Sequence, residues 1–146
     1  MTRINSAIPV KNLTDEHLLA EHREIKRLPA VFKKMKPGAK IPEKFCLGKG
    51  HVLFWMDKMD FILRRYVSLY LECKARGFKV TDYSSNWCFI PLEYRNGYTP
   101  TAEERTLLEN RISSQIQNST EISFHYYSTP ITKDEAIRLL CHGPIR

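Results

Sequence analysis

From Val52 to Cys73 the apolar residues recur at helical spacing, and this stretch restricts the fold more than any other. Val52, Trp55, Met56, Met59, Ile62, Leu63, Tyr66, Leu69, Tyr70 and Cys73 trace one wide face on a 3.6-residue period. The spacing predicts a helix from about Gly50 or His51 to Arg76. Lys74 and Arg76 suit its negative end. Gly77 is the expected left-handed residue beyond it, with Phe78 as the following apolar contact.

Three further helices are expected to pack against this face. The first runs from Thr14 or Asp15 to Leu28. Thr14 and Asp15 are both suitable N-caps, and Asp15 and Glu16 suit the positive end of the dipole. Leu18, His22, Ile25 and Phe32 share a stripe with Leu28 beside it, and Pro29 should end or kink the helix. Another helix starts at Thr101, whose spacing to Glu104 reads as a capping box, and carries Leu107, Leu108, Ile112 and Ile116. A short last helix repeats the device with Thr132 and Glu135 and stops at Gly143-Pro144. A basic loop over 33–44 and an irregular segment over 79–100 connect them, and no convincing alternating strand is found. The expected fold is all-α: a single compact domain of three main helices with irregular connections and a short C-terminal helix.

Lys and Arg number 23 against 16 Asp and Glu, a net charge of +7, so an anionic partner is expected, nucleic acid first. No apolar run has the length of a membrane span, and no apolar segment follows a basic N-terminus, so a cytosolic address is expected. Cys46, Cys73, Cys88 and Cys141 are too scattered for a zinc motif and are expected as free thiols, with no metal or cofactor.

Residues three, four and seven apart share a helix face. On the first helix His17, Ala20, Glu24 and Arg27 form one row, and Glu16, Ala20, Arg23 and Arg27 the row beside it. Glu24 therefore stands beside Arg27, with Arg23 one turn below Arg27 and a gap at Ala20. Such pairs are also ordinary surface salt bridges. A single carboxylate lacks the partner that ordinary glycosidases use, so a catalytic Glu24 needs a nucleophile from elsewhere. The chain has no GxSxG elbow and no P-loop, and Cys46 with His51 is only a weak Cys–His candidate.

Several collinear stretches together resemble one family. "MTRIN", "EHLLAEHREIKR", "FCLGKGHVLFWMDKMDFILRR", "LECKARGF", "IPLEYRNGY" and "HYYSTPI" are similar, in order, to the phage pyrimidine-dimer DNA glycosylases, also called endonuclease V. The resemblance covers residues 1–132, which would form the glycosylase-like domain. Residues 133–146 would be an extension within the same compact unit. It implies an all-α monomer that bends double-stranded DNA, flips out a nucleotide, and acts as both glycosylase and abasic-site lyase in a bacterial or phage-infected cytoplasm. By position, the nucleophile would be the α-amine of Thr2 after removal of Met1, and the essential glutamate Glu24. Arg3, Arg23, Arg27 and Arg111 would contact DNA, as would Tyr126 and Tyr127 of the C-terminal aromatic run. That run reads Ser123-Phe124-His125-Tyr126-Tyr127 where a family member has Trp-Tyr-Lys-Tyr-Tyr. Glu16 replaces a glutamine, and Gln115 stands where a lysine is expected.

The chemistry is consistent with those residue types. An α-amine titrates at roughly 7.7–8.0, so a useful fraction is neutral at pH 7, and neighbouring arginines favour the neutral form. A neutral amine can attack the sugar C1′. A carboxylate can stabilise the resulting cation and remove a C2′ proton. Two alternatives remain open: the same chemistry on another modified base, or a non-catalytic basic DNA-binding domain if Met1 is retained.

Overall fold

The computed structural model describes residues 3–144. The helices are α1 (Asp15–Ile25), α2 (Leu28–Lys34), α3 (His51–Phe54), α4 (Met59–Ala75), α5 (Ala102–Asn118) and α6 (Lys133–His142). The molecule is mostly helical, but the all-α expectation needs one correction. Strands β1 (Ser123–Tyr126) and β2 (Thr129–Thr132) form an antiparallel hairpin between α5 and α6.

The core forms where the apolar stripes meet. Leu18 and Ile25 of α1, Ile62, Tyr66, Leu69 and Cys73 of α4, and Leu108, Ile112 and Ile116 of α5 lie in one buried cluster. Ile4 and Ile8 join it from the N-terminal segment, and Ala136 and Leu140 from α6. α6 is also fixed by Asn12, whose Nδ2 donates to the Leu140 carbonyl at 3.1 Å.

One expected helix is shortened and another is divided. The Thr14 hydroxyl caps α1 as predicted, accepting from the His17 amide at 3.2 Å. α1 stops at Ile25, however, and Pro29 sits in the first turn of α2, where a missing N–H costs no helical hydrogen bond. The long helix predicted from residue 50 breaks between α3 and α4. Lys58 Nζ donates to the Phe54 carbonyl at 3.0 Å, and Asn96 Nδ2 takes the Asp57 carbonyl at 2.8 Å. Side chains thus satisfy carbonyls that an unbroken helix would have used. The apolar period continues because Trp55 and Met56, in the break, are themselves fully buried.

Helix ends follow the sequence more closely. Gly77 has φ 85°; its N–H reaches the Lys74 carbonyl, and Phe78 N–H the Cys73 carbonyl, each at 3.0 Å. The α6 capping box is complete in both directions. At α5 only half of the device forms. Thr101 Oγ1 accepts from the Glu104 amide at 3.2 Å, but the Glu104 carboxylate turns inward to the Tyr98 hydroxyl.

The hairpin depends on tertiary contacts. Its two-residue turn has Tyr127 at φ 51° and Ser128 at φ 66°, conformations that usually require Asn or Gly. Asp15 holds both: its Oδ1 accepts from Tyr127 N–H at 3.1 Å and its Oδ2 from Ser128 N–H at 2.8 Å. Relieving the strain at the second position should stabilise the protein. Ser128→Gly is expected to add about 0.5–1 kcal/mol, the αL gain exceeding the added chain entropy of glycine. Urea unfolding would read this as a higher midpoint; a lower midpoint would show that the turn is not strained.

Candidate active site

Burial of Ile4 and Ile8 draws the N-terminal segment into the core, and its polar groups must then find partners. The Ile4 amide donates to Nε2 of His51 at 2.9 Å. A ring nitrogen that accepts carries no proton, so the proton is on Nδ1, which donates to the Cys46 carbonyl at 2.8 Å. Burial holds the His51 ring below the usual histidine range. The bond to Cys46 and the charge of Glu21 oppose that shift, and Arg3 and Arg111 add to it.

The next residue is held by a buried ionic network. Asn5 Nδ2 donates to Glu21 Oε1 at 2.9 Å, and Arg111 Nη2 donates to Asn5 Oδ1 at 2.8 Å. Arg65 pairs with both oxygens of Glu21, Nε to Oε2 at 2.8 Å and Nη2 to Oε1 at 3.0 Å. Its Nη1 takes the Ile8 carbonyl at 2.6 Å. The Glu21 side chain is 1% exposed and that of Arg65 8%, so these charges compensate each other away from water. The segment 4–8 is thereby tied to α1, α3, α4 and α5.

Glu24 lies three residues beyond Glu21, on the same side of α1. Its side chain is 20% exposed, and Oε2 accepts from Arg27 Nη1 at 2.8 Å. Arg23 and Arg27 are exposed beside it. The structure therefore gathers Glu24, Arg23 and Arg27 at the C-terminal end of α1. Arg3 and Arg111 are close enough together for each to disfavour charge on His51, and Arg3 on Arg111. Thr2 lies outside the described residues.

Tyr126 and Tyr127 are at the other end of α1. The Tyr126 hydroxyl donates to the Lys11 carbonyl at 2.9 Å, and that of Tyr127 to Glu72 Oε2 at 3.0 Å. The Arg76 guanidinium lies over both rings, 4.5 Å and 5.1 Å from their centroids. Two departures from the family pattern prove to be neighbours here. His125 donates its amide to Glu16 Oε1 at 2.8 Å, and its Nδ1 lies 2.8 Å from Glu16 Oε2. Phe124 is buried and stacks on His17.

The Cys46–His51 candidate is corrected. His51 meets the Cys46 backbone carbonyl, while the Cys46 thiol faces the Lys49 carbonyl at 3.3 Å. Among the described residues, no three His, Cys, Asp or Glu side chains converge to hold a metal ion, and no helix is long and apolar enough to cross a membrane. Sequence reasoning gives no role to Asn5, Glu21 or Arg65, and pairs His51 with the wrong partner. Glu21 and Arg65 are separated by 44 residues, and no local pattern links them. A useful signal was available for His51: a histidine at the start of a helix within an apolar run.

A carboxylate among exposed arginines on a basic helical chain suits a polyanionic substrate. A family model described as pyrimidine dimer DNA glycosylase matches residues 1–85, more than half of the 146-residue chain. The chain belongs to that family, whose members are DNA repair glycosylases.

Proposed function

We propose that this protein excises the base of an ultraviolet pyrimidine dimer through a covalent intermediate on the Thr2 amine, then cuts the strand by β-elimination. The observation that carries this reading is the fixing of Ile4 and Asn5 against His51 and Glu21, one helical turn from Glu24. Two residues span at most about 7 Å, so a chain beginning at Thr2 has its amine tethered close to these anchors.

In this reading the neutral amine attacks C1′ as the glycosidic bond breaks and the base departs with its electron pair. Ring opening gives an iminium. Glu24, an anion with Arg27 at 2.8 Å, stabilises the cationic sugar. It then takes the C2′ proton, and the electrons of that bond expel the 3′-phosphate. Arg3, Arg23 and Arg27 hold phosphates around the lesion, with Arg111 behind them through Asn5. Thr2 must be N-terminal, because a retained Met1 would convert the nucleophile to an amide. Unstacking costs least at a damaged base pair, which favours lesions.

Asp15 and Glu24 are nine residues apart on α1, about 14 Å at 1.5 Å per residue, or roughly four base-pair steps of duplex. Tyr126 and Tyr127 at the Asp15 end would therefore touch duplex beside the lesion. The protein would work as a monomer in the cytoplasm, with no cofactor.

A second reading, the same chemistry on another modified base, draws on the altered aromatic run, where Phe124 is committed to the core. Borohydride trapping on duplexes carrying a pyrimidine dimer, an abasic site or other modified bases separates the two. Adducts on the dimer duplex support the first; adducts on another base but not the dimer support the second.

Binding should weaken steeply with salt. With three arginines neutralising phosphates, log K should fall with log salt at a slope of about −2.7 or steeper. A slope near zero in a titration from low to moderate salt would exclude the arginine face as the DNA surface.

A further inference from the structure

We propose that His51 is a positioning residue for the nucleophile: as the neutral Nδ1–H tautomer it accepts the Ile4 amide and sets the register of the N-terminal segment. This rests on the reading of Thr2 as nucleophile. The ring has no freedom to swing. It packs T-shaped against Phe45 and Trp55, with centroids at 5.5 Å and 6.1 Å and near-perpendicular planes. Both nitrogens are used, and the residue is 1% exposed. The hydrogen bond holds the backbone two residues from Thr2 in sequence, and two residues span at most about 7 Å, so the register set at Ile4 bounds where the amine can reach.

The same bond makes the arrangement sensitive to acid. A protonated imidazole has donors at both nitrogens and cannot accept the Ile4 N–H. The charged groups facing the ring are Arg3 from the N-terminal segment, Arg111 from α5 and Glu21 from α1. Two cations oppose a third charge there, and Glu21 is already shared with Arg65 and Asn5. Burial also lowers the ring's affinity for a proton. Because burial holds the ring below the usual histidine range, the clip is intact at about pH 6.5 and above and is lost only as pH falls through the ring's own lowered value. Acid inactivation would then combine two protonations, at the amine and at His51.

The test compares the unaltered protein with His51→Gln and His51→Phe in borohydride trapping on an abasic-site duplex, from pH 4 to 8, a window reaching well below the usual histidine range. DNA affinity and thermal melting are measured alongside. Gln can accept the Ile4 amide through Oε1; Phe cannot. Trapping by His51→Phe should slow about 10- to 100-fold with DNA affinity within about threefold, as expected for a misplaced nucleophile. His51→Gln should retain a rate within about threefold at pH 7.5, and its acid limb should lose one of the two protons seen in the unaltered protein. If His51→Phe does not fold, the His51→Gln profile decides. An acid limb unchanged in His51→Gln, or an unchanged rate in a folded His51→Phe, overturns the positioning role. No adduct from the unaltered protein would instead defeat the nucleophile reading. In that case the pH response of the Ile4 amide resonance still reports on the clip: a shift abolished in His51→Gln supports it, and a shift that persists refutes it.

Discussion

Glu24→Gln is expected to lower base excision by about 10²- to 10⁴-fold while leaving DNA affinity within about threefold. The range is that of a positioned general base. The amide keeps the shape and can still accept from Arg27, whose Nη1 now lies 2.8 Å from Glu24 Oε2. It cannot carry the negative charge that opposes a cationic sugar, nor remove the C2′ proton. Affinity should hold because the arginines remain, and loss of an anion beside phosphate does not weaken binding. Single-turnover excision and equilibrium binding on the same duplex read the two quantities separately. Excision retained within threefold would remove Glu24 from the mechanism.

The second large effect is on stability, at the other end of α1. The Arg76 side chain has no exposed surface and makes four hydrogen bonds. Its Nε pairs with Glu72 and its Nη1 with Asp15, each at 2.9 Å. Arg76→Met preserves volume but leaves two carboxylates buried without their cation. Removal of one partner from such a site costs about 3–5 kcal/mol. For a chain of this size that lowers Tm by roughly 10–16 °C. Asp15 also holds the strained Tyr127-Ser128 turn, so the hairpin should loosen first. Excision measured well below Tm should change only severalfold, because Arg76 lies at the Asp15 end of α1 and not beside Glu24. A loss of excision as large as that of Glu24→Gln in a folded Arg76→Met protein would contradict the separation of these two regions.

The helices were legible because they bury continuous stripes at one period. Leu18 to Ile25, Met59 to Cys73 and Leu108 to Ile116 read correctly for that reason. The interruptions were not legible. Lys58 and Asn96 take carbonyls at the α3–α4 break from positions far apart in sequence, and the apolar period runs through undisturbed. The hairpin was hidden by short strands, by Pro130 within β2, and by a Tyr-Ser turn that Asp15 makes tenable. At the site, the Glu24–Arg27 pair followed from helical spacing. Asn5, Glu21, Arg65 and His51 form a network across four elements, and periodicity carries no information about such pairs. Arg76 was expected to favour the helix dipole; it is instead the buried cation that joins α4 to α1.

The central claim is that an N-terminal amine is the nucleophile. The most direct measurement is peptide mapping by mass spectrometry of the borohydride-trapped protein–DNA adduct, with intact mass confirming that Met1 is absent. The account predicts a single adduct on the N-terminal peptide, at the Thr2 α-amine. An adduct on a lysine side chain, or none from protein that begins at Thr2, would contradict it.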